Sequence, residues 1–302
     1  MRIIKGTYTD YLLLFGDVRT AYMDLAAKTA TSPKGILYIL LEDSFPFGFL
    51  AQVQDGDSSR IEYIFVMPEH RGKGAGRTLL EHAVGKSTAI MRLSALEQGE
   101  SFAAIRHLVL SMGFLQENTS ITYRSGQERN MSHWQKFMEE KGIYLNRILE
   151  RMGFAAYSFR EAPKELLYQL YHSGESDYAN PLDVRPFFDI KEKCMDYDLS
   201  FLAVHRGNAG EELAAYNLVC RPDERSAVFG HMSEAAKYCQ SGCVFLPISR
   251  SMQVFQEMGL NRAAYTMYED NARAHALRRK IFAQVTCFSH RTYHYILRRP
   301  AR

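Results

Sequence analysis

"VMPEHRGKGAGRTLLEHAV", Val66 to Val84, decides how the rest of the chain is read. It leaves an apolar run, turns at Pro68, and sets Gly72, Gly74 and Gly76 among Arg71, Lys73 and Arg77 before an amphipathic helix pattern begins. Glycine permits positive φ and close approach of a ligand to the backbone. A helix N-terminus adds N–H groups without internal acceptors and the positive end of a dipole, a combination that binds phosphate. The loop is therefore a holder of phosphate or pyrophosphate, with the three cations at its rim.

Upstream, residues 11–29 carry apolar residues at helical spacing, and "SPKG" (Ser32–Gly35) breaks that helix. "ILYILLED" and "FGFLAQVQ" predict two strands joined by a turn at "SFPF". "RIEYIFVM" predicts a third strand, which feeds the loop. Downstream, "IMRLSAL" is a strand, Ser101–Phe114 a helix stopped at Gly113, and "SITYRS" a strand. From Gly126 the chain turns polar and helical, as in a connector. The second half then runs through a similar order: strand "FAAYSFREA", helix "PKELLYQLYHS", a partly helical "PLDVRPFFDIKEKCM", and strands "LSFLAVHR", "ELAAYNLVC" and "RSAVFGHMSEA". Helix "CVFLPISRSMQVFQEMG", strand "RAAYTMY", helix "NARAHALRRKIF" and a last strand "HRTYHYIL" complete it. The repeated order predicts an old tandem duplication. The expected division is 1–125, a connector over 126–152, and 153–302.

Walker spacing is absent, since no Gly-Lys-Ser/Thr stands at the required distance, and "GKGAGR" lacks the dinucleotide Gly-x-Gly-x-x-Gly. The order Val66, Pro68, Arg71, Gly72, Gly74, Gly76, after a strand and before a helix, instead resembles motif A of the GNAT N-acetyltransferase superfamily. The element order over residues 1–125 is similar to that fold as well. The resemblance implies an α/β (α+β) protein of two tandem GNAT-like domains, each a mixed, mostly antiparallel twisted sheet flanked by helices. It implies acetyl-CoA as co-substrate, with its pyrophosphate on the loop amides and its pantetheine arm along the strand before them. The residues so assigned are Phe65, Val66, Met67, Arg71, Gly72, Lys73, Gly74, Ala75, Gly76, Arg77 and Thr78. A bulge freeing the N–H of Phe65 or Val66 would bond the thioester carbonyl and stabilise oxyanion charge.

Acetyl transfer to an amine also needs a base and an acid. Glu62, four residues before Val66, is the candidate base, and period-two alternation puts it on one face with Ile64 and Val66. The family's second helix carries an Asn and a Tyr that serves as acid. Here those positions hold Phe102 and Val109, so the general acid is unassigned. In the second half Asn271, Ala274, Leu277 and Lys280 match that helix. Arg278 takes the Tyr position, Phe282 the Gly position, and no glycine cradle precedes them beyond Gly242. That half is expected to be GNAT-like with a degraded cofactor site, and Asn271 to be a helix N-cap.

Composition narrows the classes further. With 302 residues, net charge +3 and 24% charged residues, nothing suggests a general nucleic-acid binder. No apolar run reaches about 18 residues, so no membrane span is expected. No small-residue cleavage site follows the N-terminal apolar patch, so no signal peptide is expected either. The five cysteines, Cys194, Cys220, Cys239, Cys243 and Cys287, form no paired framework and fit free thiols in the cytoplasm. Cys239, Cys243 and His231 lack a fourth ligand, so no metal is expected. The expected function is transfer of acetyl from acetyl-CoA to a primary amine, on a small molecule or a peptide, by direct attack in a ternary complex of a monomer or homodimer. The alternative is a non-catalytic CoA-binding module acting through a partner.

Overall fold

The computed structural model describes residues 1–15, 20–56, 58–87, 90–97, 99, 101–125, 134–173, 184, 188, 195–208, 210–281 and 288–298. The chain forms two compact units, Met1–Ser120 with His290–Arg302, and Ile121–Ser289. The expected helix in "PLDVRPFFDIKEKCM" falls mostly outside the described residues, as do Phe282, Cys194 and Cys287.

The first unit opens with β1 (Arg2–Gly6), α1 (Tyr8–Leu14) and α2 (Ala21–Ala30). Sequence pattern had missed β1. It has five residues, pairs only with β2 and is largely exposed, so it shows little period-two signal. The one helix expected over 11–29 is two. Thr7 starts α1 with a capping box to Asp10, and Thr20 starts α2 by accepting from the Met23 N–H. Then come β2 (Gly35–Glu42), β3 (Phe45–Asp55), β4 (Ser58–Val66), α3 (Ala75–Lys86), β5 (Ile90–Leu96), α4 (Phe102–Ser111) and β6 (Leu115–Ser125). The β2–β3 turn is Asp43–Ser44, both at positive φ, rather than "SFPF". Asp tolerates the left-handed region, so Pro46 falls within β3.

β1 to β4 are antiparallel neighbours, and β4 and β5 are parallel. The strand beyond β5 is β12 (Phe288–Arg298), which sequence order had put in the second domain. It runs antiparallel to β5 from Thr292↔Leu96 to Arg298↔Ile90. A strand's own pattern states its propensity but not its partner. One face of this sheet packs α1 and α2 through Tyr11, Phe15, Met23 and Phe49. The other packs α3 and α4 through Leu79, Leu80 and Val109, each fully buried. Each such side chain contributes about 1.5–3 kcal/mol. These two layers hold β4 rigidly beneath the loop that follows it.

The second unit has β7 (Phe154–Ser158), α6 (Lys164–His172), β8 (Phe201–Gly207), β9 (Gly210–Asp223) and β10 (Ser226–Glu234), then α7 (Phe245–Glu257), β11 (Arg262–Tyr268) and α8 (Ala272–Ile281). β7 to β10 are antiparallel, and β10 and β11 parallel. Before them a π turn, Met138–Gly142, continues into α5 (Ile143–Arg151). This segment was expected to be only a connector, yet Trp134 and Leu149 are buried in the unit's core. Asn271 caps α8 as expected, accepting from the Ala274 N–H at 2.9 Å.

Candidate active site

The β3–β4 register runs Gly48↔Val66, Phe49↔Phe65, Leu50↔Ile64 and Ala51↔Tyr63, then jumps to Gln52↔Ile61. Glu62 is the extra residue of a β-bulge. Met67 N–H donates to the Phe47 carbonyl at 2.8 Å. Antiparallel ladders alternate, so the N–H groups of Phe65 and Tyr63 also point to β3, and those of Ile64 and Val66 point away. On that far side β5 accompanies β4 only from Ser58 to Ile61. Past Ile61 the two strands part, and the amides of Ile64 and Val66 edge the split. The expected bulge is thus found upstream at Glu62, and it is Val66, not Phe65, whose N–H is turned to the opening.

The faces follow the same logic. Tyr63 and Phe65 pack with the α1–α2 cluster, Ile64 and Val66 with the α3–α4 cluster. Ile61 lies in the α3–α4 cluster too, where strict alternation from Ile64 would not put it. Alternation therefore stops at the bulge and does not fix Glu62 on the face of Ile64 and Val66. Glu62 is instead held by Arg60, whose Nε donates to Oε1 at 2.6 Å. Burial pushes the Tyr63 hydroxyl up, with Arg71 opposing it.

After a single 3-10 turn, Pro68–His70, the loop reaches α3. Gly72 and Gly74 have φ of 76° and 86°, and a Cβ on either would meet nothing within 4 Å. Gly76 differs: its Cβ would sit 3.6 Å from Leu108 Cδ2 and 3.9 Å from Val66 Cγ2, facing inward. The N–H groups from Gly72 through Arg77 have no acceptor among the described residues, and Thr78 is the first to bond back, to the Gly74 carbonyl. Six consecutive free amides at a helix start, with open space over the glycines, fit a pyrophosphate. Arg71 does not extend outward, because its Nε donates to the Val66 carbonyl at 3.0 Å. Arg77 donates to Ser111 Oγ at 2.7 Å on α4 and pairs with Glu81. Lys73 is exposed, with no hydrogen bond or ion pair among the described residues. Val109, where the family's tyrosine would stand, is fully buried and supplies no acid.

The second unit reproduces the frame and not the site. β10 parts from β11 after Phe229 and carries its own register shift between Phe229 and His231. A 3-10 turn, Ala236–Tyr238, follows, and Gly242 has φ of 73°. The spacing from Glu234 to Gly242 equals that from Val66 to Gly74. The amides here are already bonded, however. Cys243 N–H donates to Ser241 Oγ at 3.1 Å and Val244 N–H to Glu234 Oε1 at 3.2 Å. The Glu234 carboxylate thus caps the helix start where a ligand anion would sit. Sequence reasoning missed it, although the equal spacing to the two glycines would have pointed to it. Burial pushes the Cys243 thiol up to about 12, which makes it a poor thiolate ligand.

Residues 33–116 match the acetyltransferase (GNAT) domain family. No curated protein sequence matches the chain. Among solved structures, a tandem GNAT protein from the clavulanic acid biosynthesis pathway superposes with a TM-score of 0.60 at 14% identity, over 100% of this chain and 99% of that one. A GCN5-related N-acetyltransferase from Sphaerobacter thermophilus gives 0.65 at 13%, over 100% and 96%. The GCN5-related glucosamine N-acetyltransferase region of a fungal multi-domain GH3 beta-N-acetylglucosaminidase gives 0.67 at 12%, over 97% of this chain and 38% of that one. At these identities the likeness is one of fold. The domain match covers residues 33–116, so the first unit is similar to GNAT acetyltransferase domains and the whole chain to tandem GNAT proteins in fold. No helix among the described residues is long and apolar enough to cross a membrane.

Proposed function

We propose that the first unit transfers an acetyl group from acetyl-CoA to a primary amine by direct attack in a ternary complex. The observation that carries this is the run of free amides from Gly72 to Arg77, set at the end of the β4–β5 split. The pyrophosphate of acetyl-CoA would lie on that run. Its pantetheine arm would follow Ile64–Met67 as an added strand, and the Val66 or Ile64 N–H would meet the thioester carbonyl. Direct attack is supported by the absence of cysteine before Cys194, which leaves this unit no thiol to carry the acetyl group. Glu62 Oε1 is engaged by Arg60, so its part as proton acceptor would fall to Oε2. The acceptor is a small-molecule amine or a peptide, and the site of action the cytoplasm.

A second reading has its own observation. Val109 at the acid position favours a non-catalytic module that binds CoA and acts through a partner. Calorimetry with acetyl-CoA, followed by thiol release over a panel of amines, separates the two. Binding with amine-dependent release supports the transferase. Binding with no release under any amine favours the module, and no binding removes both.

A further inference from the structure

Across the split from Glu62 the sheet carries a polar row. Ser94 is the first β5 residue beyond the last β4–β5 pair, Ile61↔Leu93, and it pairs with His294 on β12. Ser94 Oγ lies 2.8 Å from His294 Nδ1, and His294 Nε2 lies 2.8 Å from Ser120 Oγ on β6. Ser94 is exposed, His294 half-buried and Ser120 buried. One imidazole is thus gripped at both nitrogens, with its outer partner at the mouth of the opening. Neither serine is needed to fill the core, which on β5 and β12 uses Leu93, Ala95 and Tyr295 on the other face.

We infer that Ser94, His294 and Ser120 form a proton relay that deprotonates the incoming ammonium of the acceptor. This rests on the transferase reading above. The ammonium gives a proton to Ser94 Oγ as Ser94 passes its own to His294 Nδ1. The free amine then attacks the thioester carbon, the C–N bond forms, and the C–S bond breaks. Glu62 Oε2 takes the second amine proton and passes it through water to the departing thiolate, and His294 returns its proton to solvent. Ser120 Oγ accepts from Nε2–H while the imidazolium exists.

The charge that acts on His294 is Glu117 on β6, with Arg298 of β12 beside it. Burial holds the imidazole below the usual histidine range, with Glu117 opposing. It is therefore neutral, and able to accept, at neutral pH. Activity that depends on it falls as pH drops through its lowered pKa.

The test compares two nucleophiles with acetyl-CoA as donor. Ethanolamine is cationic at neutral pH and must lose a proton before attack, whereas hydroxylamine is largely neutral and need not. His294→Gln should lower the ethanolamine-to-hydroxylamine ratio of kcat by about 10²-fold and remove the acidic limb of the ethanolamine pH profile. Ser94→Ala, at an exposed position that keeps the imidazole and its bond to Ser120, should lower the same ratio and guards against a folding defect in the first variant. An unchanged ratio in both variants, whether through equal loss or none, overturns the relay. A wild-type protein that acetylates neither nucleophile overturns the transferase reading itself, so the two failures are distinct.

Discussion

Replacing the loop glycines one at a time separates conformational need from ligand contact. Gly72 and Gly74 sit at φ of 76° and 86° with open space around a Cβ. Alanine there incurs left-handed strain of about 1–2 kcal/mol and no clash. For a unit of this size that is a fall of roughly 2–4 °C in Tm per kcal/mol. The same Cβ projects into the space through which a pyrophosphate reaches the free amides. Losing one charge-assisted bond costs about 1.5–3 kcal/mol, or roughly 10- to 150-fold in Kd for CoA. Gly76→Ala is the control. Its Cβ turns inward to ordinary contact with Leu108 and Val66, and alanine favours the helix by about 1 kcal/mol. Thermal unfolding and calorimetric titration with CoA on all three variants give both quantities. Gly72→Ala and Gly74→Ala should lose more affinity than stability, and Gly76→Ala should lose neither. Unchanged CoA binding in Gly74→Ala, or equal loss in Gly76→Ala, would refute the assignment of the loop amides as the anion site.

Two further outcomes concern the second unit. His231, bonded to the Tyr216 hydroxyl at 2.9 Å, is lowered by burial from 6.5 to about 4. The unfolded chain takes up this proton first, so stability is intact above pH 6.5 and is lost as pH falls towards 4, by about 3 kcal/mol at most. Urea unfolding at stepped pH should show the loss in the wild type and a flatter acid limb in His231→Gln, and identical limbs would contradict the buried neutral imidazole. With Glu234 already on the helix start, calorimetry with CoA should return one site per chain. Glu234→Ala should cost about 1 kcal/mol of cap stability, and a second CoA site in the wild type would count against the plugged cradle.

Much of the fold was legible because its signals are local. Val66–Val84 announced a strand, a turn and a helix start through residues that are neighbours in the chain, and φ at Gly72 and Gly74 bears that out. The second half's element order was visible for the same reason, as was Asn271 as a cap. The bulge at Glu62 was not legible, because a register jump depends on the opposing strand. Nor was β1, whose five mostly exposed residues leave no pattern.

The sequence by itself therefore determined the strand, turn and helix start of the glycine loop and the half of the chain that carries it, since such a loop is written in adjacent residues. The tertiary structure alone decided what surrounds that site. It paired β12 with β5 and brought His294 against Ser94, 200 residues away. It also turned the Val66 amide to the split and laid the Glu234 carboxylate on the start of α7. The reason is physical. Backbone conformation responds to near neighbours, whereas the partner of a strand is chosen by burial and hydrogen bonding across the whole unit.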